Sequence, residues 1–595
     1  MGTVTNNVYK GIWVLILGLT KKRKIQLSLI LALSVISAVF EIVSVSALIP
    51  FMEILGSSGV SVKSSIFGNS LNEFKKISGR DFALHLTIIF IFLSLASGIL
   101  RYCLLWAQTR VTHAIGADLS INIYRRSLYQ PYVKHIEGNS SDIISSISTK
   151  VDRLVRESLI SVLLVISSIL MSFALIAFLF YIEPVVAVST FGTFGAIYLV
   201  IILLSRKYLV RDSSIINKYQ NRVIKTLQEG LGGIKDVIIN RTQEAFVEEY
   251  KQADLPLRRS HANIAIIGGA PRFALEALGF VTFAVVAYML RSNETGAGSA
   301  TSLMALFAIS ALRVIPLLQQ AYTGVSNIIG SRSILFDILH FIQLPMENPE
   351  EDKHIKPIKF DSKIRVDQVN FKFKEGGRWI LKDLTIVIPH GSRVGIVGST
   401  GSGKSTLLNL LMGLLHPTSG KLFVDDENID FSTSISWRKK IAYVPQDIFL
   451  SDATIAENIA LGTPMANIDL VRVHESAKMA SIYDDIVKWP EGFNTRVGER
   501  GVNLSGGQKQ RIGISRALYK NPEVLIFDEA TSALDMKTET DVMHSIDTLD
   551  NHLTIIMVAH RLETLRNCNI IIELDKGSCK SIKTNNDNLR LQKHS

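Results

Sequence analysis

Six apolar stretches dominate the first half of the chain, near Ile25–Phe51, Phe82–Trp106, Leu159–Tyr181, Pro184–Leu204, Ile264–Leu290 and Ala300–Leu318. Each is long enough, as a helix, to cross a hydrocarbon core of about 30 Å. No other feature constrains the fold as tightly. Inside lipid every backbone N–H and C=O has to be satisfied within the segment, so an apolar run of this length is a helix. Hydrophobic residues make up 47% and charged residues 20% of the 595 residues, more apolar than a soluble chain of this charge. Residues 1–345 are therefore expected to form an α-helical membrane domain with six transmembrane helices.

The spacing of these runs sets their orientation. The third and fourth are separated by little more than Glu183–Pro184, and the fifth and sixth by the short polar loop Arg291–Ser299. The second-to-third and fourth-to-fifth connections are long and carry Arg125, Arg126, Lys134, Arg153, Arg206, Lys207 and Arg211. Positive charge marks the cytoplasmic side, so the long connections and both termini belong there. These connections look helical, which predicts membrane helices that continue well past the bilayer. Gly11–Leu19, followed by Lys21, Lys22, Arg23 and Lys24, reads as a short interfacial helix and not as a signal peptide. On the outer side, Ile66, Phe67, Leu71, Phe74 and Ile77 within Gly56–Asp81 suit a small amphipathic helix or a solvated loop equally.

The net charge of +11 raises nucleic acid or an anionic membrane surface as a partner. The spanning runs favour membrane lipid, and no nucleic-acid partner is expected. The three cysteines, Cys103, Cys568 and Cys579, form no Cys/His cluster, so no zinc site is expected.

Residues 346–360 are rich in Pro, Glu and Lys and read as a linker. From 361 to 595, short β-branched runs alternate with helical ones, the pattern of an α/β domain. Within it, Gly398-Ser399-Thr400-Gly401-Ser402-Gly403-Lys404-Ser405-Thr406 fits the P-loop spacing between a strand-like run and a helix-like run. Its glycines let backbone N–H groups curl around phosphates at a helix N-terminus. Lys404 suits the β/γ-phosphates and Ser405 a Mg²⁺ ion. Asp528 and Glu529 end the apolar run that begins at Val524. Asp528 is placed to support Mg²⁺, and Glu529 to polarise an attacking water as general base. Leu504-Ser505-Gly506-Gly507-Gln508 opens a further helix and offers a second anion-binding start. Two such faces hint at a nucleotide held between two surfaces.

In this order and spacing, the P-loop, LSGGQ and VLIFDE resemble the nucleotide-binding domain of an ATP-binding-cassette (ABC) protein. The resemblance covers residues from about 364 to 575 and implies further roles. Phe373 matches the aromatic that stacks on adenine, with Phe where Tyr is usual. Gln446 matches the loop that senses Mg²⁺ and the membrane domain. Val497-Gly498-Glu499-Arg500-Gly501 resembles a short exporter motif, Asp535 matches the loop that communicates across a dimer, and His560 matches the histidine at the γ-phosphate. Tyr129–His135 suits a coupling segment near Gln446. With six membrane segments upstream, the whole chain is similar to a half-size exporter, an ATP hydrolase coupled to transport. ATP and Mg²⁺ are the implied cofactors, a homodimer the implied assembly, and a cell membrane with the ATPase in the cytoplasm the implied location.

Polar residues inside membrane segments are costly, and so are candidates for cargo contact. Four stand out: Glu41, Arg101, Glu276 and Arg313. Glu41 and Arg101 lie where they can reach the interface. Glu276 and Arg313 are deeper, and can pair with each other or line a cavity, where an arginine suits a phosphate. Ala47–Met52, Pro271–Leu278 and Ala311–Pro316 resemble the subgroup that flips lipid-linked oligosaccharides. That resemblance implies a polyprenyl-pyrophosphate glycan as cargo. An exporter of a peptide, drug or other lipid on the same fold is the alternative.

Overall fold

The computed structural model describes residues 7–47, 79–137, 140–182, 184–292, 297–344, 346, 358–498, 501–529, 539, 540, 542, 544, 553–558 and 568–584. The outer stretch 56–78, most of the 346–360 linker, Glu499, Arg500, Asp535 and His560 lie outside them. The chain divides into two compact units: Met1–Gln130 with Gly138–Met346, and Pro131–Glu137 with Glu347–Ser595.

The described residues of the first unit are almost all helical. In chain order its main helices are α1 (Val8–Leu17), α2 (Lys21–Ser46) and α3 (Gly79–Leu128). The short α4 (Tyr132–Glu137) belongs to the second unit. Then come α5 (Ile160–Ile182), α6 (Pro184–Gly232), α7 (Gln243–Gly269), α8 (Pro271–Ser292), α9 (Ala297–Gly330) and α10 (Arg332–Gln343). Almost all described residues of the six expected segments fall on these helices. Among the described residues four helices are long and apolar enough to cross a membrane, and a fifth is counted if the pair bent by 55° at Ser331 is one span. With 50 and 49 residues, α3 and α6 reach roughly 75 Å each, far beyond a hydrocarbon core.

Small residues decide how closely these helices approach, as expected where lipid removes the hydrophobic drive between them. A β-carbon on Gly324 of α9 would stand 2.5 Å from Val165 and 3.1 Å from the Ser161 carbonyl of α5. On α3, a β-carbon on Gly116 would meet Val155 at 2.5 Å. Serines complete the seam: Ser158 and Ser331 hydroxyls lie 2.6 Å apart, and Ser168 donates to Gln320 at 3.1 Å. By contrast Phe92, Leu95, Ile99 and Tyr102 of α3 are each more than half exposed, the face such a helix turns to lipid. At the N-terminus, α1 buries Val8, Gly11, Ile12 and Leu15 and leaves Tyr9, Trp13 and Leu17 out, the two-faced pattern of an interfacial helix. Lys24 Nζ donates to the Leu17 carbonyl at 2.7 Å and satisfies one of its orphan acceptors.

The second unit holds two sheets. A four-stranded antiparallel sheet runs in the order β2-β1-β4-β5, with β1 at Lys363–Phe371, β2 at Leu381–Pro389, β4 at Ser419–Val424 and β5 at Glu427–Asn428. A six-stranded sheet runs β10-β9-β3-β8-β7-β6. Its strands are β3 (Arg393–Gly398), β6 (Ile441–Val444), β7 (Val524–Asp528), β8 (Thr554–Val558), β9 (Ile570–Asp575) and β10 (Ser578–Thr584). All pairs but β9–β10 are parallel. Both faces of its centre are covered, which is why Val524–Phe527 and Thr554–Val558 are unbroken buried runs without alternation. Ligands of such sheets bind beyond the carboxyl ends of the strands. There β3 feeds α11 (Lys404–Leu411) and β7 ends in Asp528. Trp437, fully buried, ties this core together by donating Nε1–H to the Leu411 carbonyl at 2.7 Å.

Candidate functional site

The P-loop is a tight turn between β3 and α11. Gly398 sits at φ +155° and Gly403 at φ +102°, conformations that L side chains rarely adopt. Ser402 donates its N–H to Ser399 O at 3.1 Å, and its own carbonyl accepts from Gly577 N at 3.1 Å. Ser399, Thr400, Gly401 and Ser405 stay exposed along the mouth, whereas Ser402 and Lys404 are buried. Lys404 Nζ folds back onto the loop, donating to Gly398 O at 2.8 Å and Ser399 O at 3.2 Å. Ser402 Oγ is buried with no hydrogen-bond partner among the described residues. The first N–H groups of α11 have no intrahelical acceptor, so the loop is a cradle of donors that suits a phosphate chain. Beside the loop's sheet, Phe373 stands half-exposed with Phe371 packed edge-on behind it at 5.0 Å.

Two strands away, Asp528 ends β7. Its carboxylate accepts from the Tyr443 hydroxyl of β6 at 3.2 Å. Burial pushes the Asp528 carboxyl above its ordinary range, the Tyr443 hydrogen bond works against that, neighbouring Glu529 adds to it, and Lys404 offsets it. Tyr443 is itself pushed upward by burial first and then by Asp528, with a smaller contribution from Tyr132 of α4. Val133 of the same short helix packs on the ATPase core. Glu529 follows at φ +52°, a left-handed backbone for a non-glycine, fixed by its N–H donating to Val558 O at 3.1 Å. Gln446 is exposed just past the end of β6. The Ser405 hydroxyl, the Gln446 amide and the Asp528 carboxylate each offer an oxygen, the donor atom that Mg²⁺ prefers.

The Leu504–Gln508 motif opens α12 (Gly506–Tyr519) with a reciprocal capping box. Ser505 Oγ accepts from Gln508 N at 3.2 Å, and Gln508 Oε1 from Ser505 N at 2.9 Å. Gly506 and Gly507 put no side chain beyond hydrogen at the first two positions of this helix. Behind it, Gly513 abuts Ile448, and Arg516 donates to the Phe449 and Asn458 carbonyls at 2.9 and 2.8 Å. The signature helix is thereby bonded to the segment that follows Gln446.

In the membrane unit a cleft of about 620 Å³ opens between α3, α5 and α9, lined by polar Arg101, Gln108, Ser167, Ser168, Arg313 and Gln320 among leucines. The structure does not bring Glu276 and Arg313 together. Glu276 accepts from Arg272 Nε at 2.6 Å, one helical turn away, and does not line this cleft. Arg313 Nη1 instead donates to Glu41 Oε1 at 2.5 Å. Glu41 is 1% exposed and turned inward, because Ser97 and Arg313 donate to it and Arg101 pairs with it, from two other helices. Sequence spacing held no signal for this cluster, nor for Tyr443.

Residues 27–312 match the ABC transporter transmembrane region family and residues 381–532 the ABC transporter family. Among curated proteins, the ATP-dependent lipid A-core flippase of Ralstonia nicotianae is 28% identical over 503 residues, 82% of either chain. A Staphylococcus aureus protein provisionally named as a multidrug export ATP-binding/permease protein is 43% identical over 236 residues, 38% of this chain and 40% of its own. A solved structure of a bacterial Atm1-family ABC exporter with ATP bound has a TM-score of 0.78 at 22% identity, covering 94% of this chain and 95% of its own. A membrane-helix bundle fused to a P-loop ATPase defines the class, a membrane transporter carrying its own ATPase. The chain belongs to the ABC transporters and has the half-size exporter fold, multi-pass in the membrane with a cytoplasmic ATPase domain.

Proposed function

We propose that the protein is a homodimeric flippase that uses ATP hydrolysis to move a polyprenyl-pyrophosphate glycan across the cytoplasmic membrane. The observation that carries the cargo class is the cleft where Arg101 and Arg313 stand among leucines. Guanidinium groups suit a diphosphate, and the apolar wall suits a polyprenyl chain. The similarity to a lipid A-core flippase supports a glycolipid-sized cargo. Arg313→Ala in proteoliposomes is expected to reduce flipping of a lipid-linked oligosaccharide roughly 10-fold or more. Intact flipping in that variant removes Arg313 from cargo recognition. A drug or peptide exporter is the second reading, favoured by the leucine-rich lining and the similarity to the named multidrug exporter. ATPase stimulation by lipid-linked glycans set against drugs and peptides separates the two.

In the ATPase, Ser399–Thr406 cradle the phosphates, and Lys404 exchanges two neutral loop carbonyls for anionic phosphate oxygens, so that both partners of the bond are charged. Phe373 stacks on adenine. Ser405, Gln446 and Asp528 hold Mg²⁺, which when bound neutralises charge on the phosphates. Glu529 takes the proton of the attacking water, and His560 contacts the γ-phosphate. Ser505, Gly506, Gly507 and Gln508 of one copy close on the P-loop of the other, with Asp535 across the dimer. One P-loop and one signature per chain leave each face incomplete alone, so two copies complete two sites. Tyr443→Phe removes the hydroxyl on Asp528 without altering the strand. The Mg²⁺ concentration for half-maximal ATPase is expected to rise about threefold to tenfold, for a bond worth about 1 kcal/mol. ATP binding without Mg²⁺ should be unchanged in a fluorescent-nucleotide titration, and an unaltered Mg²⁺ profile would show that the bond does not position Asp528.

A further inference from the structure

The cargo proposal leaves Glu41 without a task, although it is the most deeply buried charge beside the cleft. Its side chain is 2% exposed, against 24% for Arg313 and 44% for Arg101. A carboxylate that far from water persists in a membrane helix only when paired. Here it is held three times: Ser97 Oγ donates to Oε2 at 2.6 Å, Arg313 Nη1 to Oε1 at 2.5 Å, and Arg101 Nε lies 3.6 Å from Oε2. Three helices meet at this one side chain, α2 through Glu41, α3 through Ser97 and Arg101, and α9 through Arg313. Both arginines line the cleft and Glu41 does not. The wall therefore presents two guanidinium groups backed by one hidden carboxylate, a net single positive charge.

A guanidinium has donors on two edges, so each arginine can bond Glu41 and an anion in the cleft at once. The two acceptors nevertheless compete, because every donor aimed at the cargo is aimed away from Glu41. A transporter also has to let its cargo go, and two uncompensated cations in low dielectric would hold a diphosphate too firmly. We infer that Glu41 is a built-in counter-anion that competes with the cargo's anionic group for Arg101 and Arg313, positioning both guanidinium groups and limiting how tightly the cleft holds its cargo. This rests on the anionic-lipid cargo proposed above and deepens it. Glu41 acts through the arginines and is a positioning residue.

The test measures binding of farnesyl pyrophosphate, with farnesol as the uncharged control, to full-length protein in nanodiscs, and the ATPase that farnesyl pyrophosphate stimulates. Glu41→Gln keeps the shape and an acceptor for Ser97 but removes the charge. It is expected to tighten farnesyl pyrophosphate about fivefold or more and leave farnesol unchanged. Stimulated ATPase should show a lower KM together with a lower kcat. A merely structural Glu41 would give weaker or unchanged binding of the diphosphate, and either result overturns the inference. Glu41→Gln combined with Arg101→Gln restores the single positive charge and should return the affinity to within about threefold of wild type; persistent tightening overturns it. If Glu41→Gln does not fold, Glu41→Asp withdraws the charge by one methylene and should tighten binding about twofold, with no change counting against the idea. Wild type that does not prefer farnesyl pyrophosphate to farnesol removes the anionic-cargo proposal and this inference with it. Wild-type preference without tightening in the Glu41 variants removes this inference alone.

Discussion

Replacing Glu529 with glutamine is expected to lower ATP turnover roughly 10²- to 10⁴-fold, the range a positioned general base contributes, while ATP binding survives. Glutamine has the same shape and tolerates the same backbone at φ +52°, so the turn after β7 is kept. What it cannot do is accept the proton of the attacking water. Glu529 also raises the proton affinity of its neighbour Asp528, so removing its charge should favour ionised Asp528 and, with it, Mg²⁺. The variant is then expected to accumulate ATP-bound protein. Single-turnover hydrolysis measures the first effect, and nucleotide retention the second. Turnover above about a tenth of wild type would remove Glu529 from the role of base.

A large structural effect is expected at Gly398 of the P-loop. A β-carbon there would stand 2.4 Å from the Leu574 carbonyl of β9 and 2.6 Å from Ser402 Oγ, at a φ of +155°. Backbone cannot retreat as a side-chain tip can, and β9 is pinned on both sides, by β3 and by β10. Gly398→Ala is expected to destabilise the ATPase domain by roughly 2–4 kcal/mol, strain and overlap together. Melting should fall by roughly 4–16 °C, given about 2–4 °C per kcal/mol for a domain of this size. ATP affinity should fall with it, because Gly398 O is one of the two carbonyls that seat Lys404. Gly401→Ala is the contrast, since a β-carbon there meets nothing within 4 Å although φ is +79°. It should lose only the conformational cost, about 1 kcal/mol. Equal destabilisation by the two would show that contact with β9 is not what Gly398 avoids.

Local chemistry made much of this legible beforehand. The membrane segments could be read because lipid admits no other backbone solution for a long apolar run. The P-loop could be read because phosphate binding needs glycine, lysine and a helix start at fixed offsets, all within nine residues of sequence. The start of α12 at Ser505 was legible for the same reason, although its capping box shows Ser505 and Gln508 serving the helix itself. Tyr443 escaped notice because its importance comes from strand order. It stands in β6 beside β7, and only that pairing sets its hydroxyl against Asp528, 85 positions away.

The charged cluster in the membrane shows where sequence stopped. That Glu41, Arg101, Glu276 and Arg313 were costly and needed partners followed from their residue types and the apolar runs around them. Which partner each one took did not follow. Glu276 found Arg272 on its own helix, one turn away, while Glu41 and Arg313 met across 272 positions of chain. Helical periodicity says which residues share a face of one helix, but the helix across from it is selected by close packing at glycines and serines such as Gly324 and Ser161. The sequence by itself determined that this is a membrane-helix bundle with a phosphate-binding ATPase. Only the tertiary structure decided that a buried carboxylate stands behind the two arginines of the cleft, because a charge pair between distant helices exists only once packing has brought them within a few ångströms.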